Sequence, residues 1–172
     1  NGVAVNVNST TLGTASFTVT YNLSGANSST ANTATLTMGA STGTFNIPSS
    51  LLTNTGSTTV TITAITNSLG CTSYPASANT ATFNVNPLPT AYTVLGTGSY
   101  CSGGAGIHVF LSNSVGGVSY QLYHNGSPIG SPVAGIFAAL DMGAQTAAGT
   151  YTIEATNTTT TCTRMMTGSA VI

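Results

Sequence analysis

Apolar and polar residues alternate one for one along stretch after stretch of this chain, and that two-residue period confines it to β-structure. SFTVTYNL (16–23), TATLTM (33–38), TTVTITAI (58–65), TATFNVN (80–86), VSYQLY (118–123) and TYTIEAT (150–156) all carry it. Successive side chains of a strand point to opposite faces, so each segment has one apolar and one wet face. No stretch shows the 3.6-residue apolar stripe of a helix. Turn signals separate the segments, among them Ser24-Gly25, Gly103-Gly104 and Asn125-Gly126. The last lies between YQLYH and SPIGSPV and is a strong hairpin cue, because Asn and Gly both tolerate positive φ. The sequence predicts an all-β chain whose core includes Phe17, Val19, Tyr21, Leu36, Val60, Ile62, Val109, Leu111, Tyr120, Leu122, Tyr151 and Ile153.

Two domains are expected. In Asn86-Pro87-Leu88-Pro89, two prolines follow a completed strand, remove two backbone donors and stiffen the chain, as a linker does. Residues 1–87 and 88–172 then have nearly equal size, close to that of a β-sandwich domain. The halves also share an imperfect internal repeat. NSLGCTSYPASANTATF (67–83) lies over NTTTTCTRMMTGSAVI (157–172) with the cysteines in register. In this overlay the second domain stops short of a complete last strand, and the first lacks its N-terminal edge. AAGTYTIEAT resembles the entry to the F strand of an immunoglobulin-like sandwich, with Tyr151 as the tyrosine corner.

Only Asp141, Glu154 and Arg164 are formally charged among 172 residues, and there is no lysine. Acid/base catalysis, metal binding and phosphate binding draw on a pool that is almost empty, so an enzyme is not expected and no cofactor is called for. A net charge of −1 gives no field that would attract nucleic acid or an anionic membrane. With 41% hydrophobic residues the chain has the means to build a core, and no apolar run reaches the roughly 18 residues of a membrane helix. Glu154 reads as a solvated strand-face carboxylate, His108 as a surface histidine beside Phe110, and His124 as an exposed neighbour of the hairpin turn. No HxH, HExxH or CxxC spacing points to a metal. The glycine cluster Gly103-Gly104-Ala105-Gly106 reads as a tight loop, since no lysine follows it.

Three cysteines, a Thr/Asn/Ser-rich surface and an Asn1 that opens a polar, strand-like stretch suggest a mature extracellular protein. Cys101 and Cys162, 61 positions apart, fall at opposite ends of the second domain and read as a disulfide. Such a bridge would stabilise by about 4 kcal/mol in the chain-entropy model. Two buried free thiols are the alternative. Cys71 occupies the place of Cys162 in the first domain without a counterpart to Cys101, which leaves it unpaired or intermolecular.

PLPTAYTVLGTGSYCSGGAGIHVFLSNSVGGVSYQLYHNGSPIGSPVAG, followed by LDMGAQTAAGTYTIEATNTTTTCT, resembles the tandem repeats of giant Bacteroidota cell-surface adhesins, the group that includes gliding-motility adhesins. Residues 1–86 are similar to a sister repeat. The resemblance implies immunoglobulin-like repeats, exported by the type IX route and displayed as filaments at the cell surface, with no catalysis. Its cysteine pattern falls on Cys71, Cys101 and Cys162.

A stalk and surface-contact segment of an extracellular adhesin or filament is therefore the leading expectation. Its partners would be neighbouring repeats of the same chain, other copies, or a surface polysaccharide. Thr33, Thr35 and Thr37, then Thr59, Thr61 and Thr63, would form flat hydroxyl and methyl ladders suited to such contacts, or merely satisfy β-propensity. Two other readings stand beside it: a filament subunit completed by strand exchange between copies, and a carbohydrate-binding module.

Overall fold

The structure, a computed structural model, describes residues 2–172. The chain divides into two compact units, one ending at Asn86 and the other beginning at Pro87. Both are built almost wholly from antiparallel strands, as the two-residue period requires.

The first unit contains β1 (Val3–Asn8), β2 (Ser16–Gly25), β3 (Ser29–Met38), β4 (Thr42–Ile47), β5 (Gly56–Thr66), β6 (Thr72–Ser73) and β7 (Thr80–Val85). A single 3-10 turn, Ser49–Leu51, interrupts them. The strands run in the order β1-β4-β3-β2-β5, with β6 and β7 both against β5. Only Thr37 with Thr44 and Met38 with Gly43 join β3 to β4. Gly43 is needed there, because a Cβ would meet Met38 Sδ at 2.4 Å and the Thr37 carbonyl at 2.5 Å. Val19, Leu36, Ile47 and Val60 fill the core, and Tyr21 packs on Phe45 at a centroid distance of 5.3 Å.

The second unit contains β8 (Val94–Leu95), β9 (Ile107–Leu111), β10 (Val118–His124), β11 (Ser127–Ala134), β12 (Leu140–Gln145), β13 (Thr150–Asn157), β14 (Thr163–Met165) and β15 (Ala170–Val171). One sheet runs β11-β10-β13-β14 with β15 also on β13, and the other runs β12-β9-β8. Val109, Leu111, Tyr120, Tyr151 and Ile153 are buried between them. Asn125 and Gly126 take φ of 48° and 83°, the two positive values that a tight hairpin turn with the right-handed strand twist demands.

The two units share one strand plan. β1 pairs with β4 as β9 pairs with β12, and β2 lies between β3 and β5 as β10 lies between β11 and β13. β6 and β7 stand to β5 as β14 and β15 stand to β13. β8 has no counterpart among the described residues of the first unit. Of the residues expected in the core, Phe17 alone is only partly buried, near the start of β2.

Candidate functional site

The cysteines do not form the expected bridge. Cys71, Cys101 and Cys162 are all free. Cys101 sits in a turn closed by the Gly104 N–H on its carbonyl at 2.9 Å, ahead of β9. Next to it, the Tyr100 hydroxyl donates to the carbonyl of Thr146, between β12 and the start of β13. Cys162 lies past the other end of β13, where its carbonyl accepts the Asn157 N–H at 2.9 Å. The eight residues of β13 span about 25 Å at strand rise, against the 4.4–6.8 Å between Cα atoms that a disulfide tolerates. Cys101 precedes β9 and Cys162 follows β13, and distance along the sequence says nothing about which end of a strand each thiol meets. Cys71 is exposed in the corresponding turn after β5.

Tyr151 opens β13 and is buried, and its hydroxyl donates to the Ala147 carbonyl four residues upstream at 2.7 Å. His124, opposite it on β10, stacks on its ring at 4.7 Å and donates from Nε2 to the Ala148 carbonyl at 3.1 Å. His124 is therefore half-buried rather than exposed, because the pairing of β10 with β13 sets it against Tyr151. In the linker, Pro87 and Leu88 are exposed while Pro89 is buried, with its carbonyl accepting from Arg164 Nη1 at 3.3 Å.

The ionisable side chains meet partners that their sequence positions did not announce. The register of β9 with β12 brings His108 Nδ1 within 2.8 Å of Asp141 Oδ2, although the two are far apart in sequence. Both remain about half exposed, at 52% and 46%, and the His108 ring stacks on Phe110. Asp141 Oδ1 also accepts the Gly143 N–H at 2.8 Å. Glu154 accepts the Tyr123 hydroxyl at 2.9 Å, and that hydrogen bond to a carboxylate raises the Tyr123 pKa. The two acids thus sit on different sheets, each committed to a neighbour. Among the described residues no three His, Cys, Asp or Glu side chains gather as a metal would need.

The first unit carries an ordered threonine face. Cross-strand pairing aligns Thr37 with Ser16, and Thr35 with Thr18 and Thr66. Thr33 stands beside Thr20, Asn22 beside Thr61 and Thr80, and Ser24 beside Thr59 and Thr82. The rungs repeat about 4.8 Å apart across strands and about 7 Å along them. Thr59 and Thr82 hydrogen-bond to each other at 2.9 Å, as do Thr66 and Thr72. Thr33, Thr35 and Thr37 are exposed, and Thr59, Thr61 and Thr63 are half-exposed, with Thr63 turned by the bulge in β5 to donate to the Thr20 carbonyl.

Two features had no signal in the sequence reading. Asn27 is buried and clamps three groups: its amide donates to Asn54 O at 2.8 Å and Thr58 Oγ1 at 2.9 Å, and its Oδ1 accepts the Asn54 N–H. Ile136 and Phe137 stand exposed between β11 and β12, with Phe137 at φ 59° over Gly116. Buried Ser114 pins that loop through Ala138 O and the Ile136 N–H. Only spatial pairing reveals either one.

Comparison of the chain with protein-family models, with curated proteins and with solved structures returns no match. Among the described residues no helix is long and apolar enough to cross a membrane.

Proposed function

We propose that this chain is a non-catalytic stalk and surface-contact segment of an extracellular adhesin or filament, as its resemblance to Bacteroidota adhesin repeats implies. The observation that carries the reading is the threonine face, a periodic array of hydroxyl and methyl groups without a charge on the five rungs described. Such a surface meets neutral, hydroxyl-rich partners by short-range hydrogen bonds and methyl contacts. A surface polysaccharide or another sheet of the same kind offers the matching chemistry. The strand plan common to both units supports a modular, load-bearing role, and the two acids, Asp141 and Glu154, are engaged in cross-strand contacts.

Beads coated with the chain test this on films of neutral polysaccharide. Adhesion is expected to persist at about 1 M salt, where charge attraction is screened within about 3 Å. It should fall several-fold when Thr18, Thr35 and Thr61 are replaced by Glu. Absent adhesion, loss in salt, or indifference to the three glutamates would remove the reading.

A further inference from the structure

The two units follow one strand plan, and they part where β11 gives way to β12. In the first unit the matching link from β3 to β4 is Gly39-Ala40-Ser41, whereas the second unit has Gly135-Ile136-Phe137-Ala138-Ala139 there. The plan is thus built without an aromatic at this place. Yet Ile136 is 60% and Phe137 76% exposed, and Phe137 holds φ 59°, a left-handed value that a bulky side chain adopts only as an outlier.

Neighbouring loops hold that ring in place. Ser114, 1% exposed, donates from Oγ to the Ala138 carbonyl at 2.7 Å and accepts the Ile136 N–H at 3.0 Å. The Gly135 N–H donates to Val118 O at 2.9 Å, and a Cβ on Gly135 would lie 2.1 Å from the Val115 carbonyl, so the two segments run against each other. The ring lies over Gly116, where a Cβ would come within 2.4 Å of its Cε2. Gly117 O in turn accepts both the N–H and the hydroxyl of Thr158, at 3.0 and 2.9 Å, which joins the loop after β13 to the other two. A strained backbone persists only where its surroundings over-determine it, and such places collect at ligand contacts.

We infer that Phe137 is the platform of a binding site for a neutral sugar ring. One face of a pyranose presents C–H groups that the negative face of an aromatic ring attracts, and its edge presents hydroxyls. Exposed Asn113, Thr158 and Thr159 on the flanking loops offer amide and hydroxyl partners for these. Residues 112–117, 135–139 and 158–162 include no charged side chain, which matches a neutral ligand and gives no hold on anionic lipid. Two exposed apolar side chains fall far short of the roughly 800 Å² per partner that a stable protein interface buries. Because the ring is already fixed, little order is lost on binding. The site goes beyond the threonine-face reading and does not rest on it, since its residues all belong to the second unit.

The test titrates the full chain with neutral hexasaccharides of glucose, mannose, galactose and xylose and follows the Phe137 ring and Ile136 methyl resonances. At least one sugar is expected to shift both saturably. Phe137→Gly, which removes the ring and relieves the positive φ, should weaken that binding at least about tenfold without lowering the unfolding midpoint, and Phe137→Tyr should retain it. No shift with any of these sugars, equal binding by Phe137→Gly, or loss of binding only together with a lower midpoint would overturn the proposal. Shifts confined to the threonine face would overturn this site and leave that reading standing. A Phe137-dependent dimer, or shifts with phosphatidylcholine vesicles in place of sugar, would assign the ring to a second copy or to a membrane and overturn it too.

Discussion

Asn157 donates its backbone N–H to the carbonyl of Cys162 at 2.9 Å, and Asn67 does the same to Cys71 at 3.0 Å. Each asparagine also accepts two backbone N–H groups on its Oδ1, from Leu69 and Cys71 in one unit and from Thr159 and Thr160 in the other. The internal repeat visible in the sequence is therefore a repeated turn, in which the cysteine serves through its carbonyl and leaves its thiol free. A side chain that satisfies two donors holds such a turn open to no alternative.

Alkylation of the native, unreduced chain should accordingly modify Cys71 and Cys101, both exposed, and Cys162 more slowly. The pair Cys101→Ser and Cys162→Ser should leave the unfolding midpoint unchanged. Loss of about 4 kcal/mol would instead signal a bridge. Asn157→Ala should cost about 1–2 kcal/mol, since it strands two turn amides.

Tyr151→Phe keeps the ring under His124 but removes the bond to Ala147. A destabilisation of about 1 kcal/mol is expected in urea. His124→Ala should give a further loss of about 0.5–1.5 kcal/mol by removing the stacked ring. Because the two residues touch, their effects should not add, and a double-mutant cycle measures the coupling.

The strands were legible wherever alternation ran for six or more residues, as in β2, β5 and β13, because one buried face fixes a period of two. The Asn125-Gly126 turn was legible because its chemistry is local. What failed was information that only the register carries. The His108 to Asp141 contact depends on how β9 meets β12, and the threonine rungs on how β2 meets β3 and β5. The disulfide expectation failed for the same reason: cysteines at the two ends of a domain's sequence lie at opposite ends of β13. β8 has two residues, too few for any period to show.

Tyr21 carries a fully buried hydroxyl with no hydrogen-bond partner. An unmade bond of this kind costs about 1–3 kcal/mol relative to a satisfied one, whereas an apolar group of the same shape has no such penalty. Tyr21→Phe should therefore be neutral or stabilising by up to about 1 kcal/mol in denaturant unfolding, with the packing on Phe45 retained. A clear loss of stability would show that the hydroxyl makes a contact in solution.

Alkaline pH should unfold the chain through its tyrosines. Burial raises the pKa of Tyr21, Tyr120 and Tyr151, and the bond to Glu154 raises that of Tyr123. A raised folded-state pKa means that the unfolded chain loses its phenolic protons first. Stability from this source is complete below the unfolded tyrosine value of about 10 and drains as pH climbs from there through the folded values. Tyrosinate absorbance of the buried rings should then jump with the loss of β-sheet signal, and Tyr21→Phe should blunt the fall. Ionisation of Tyr21, Tyr120 and Tyr151 near pH 10 without any change in unfolding midpoint would show that these rings are open to solvent.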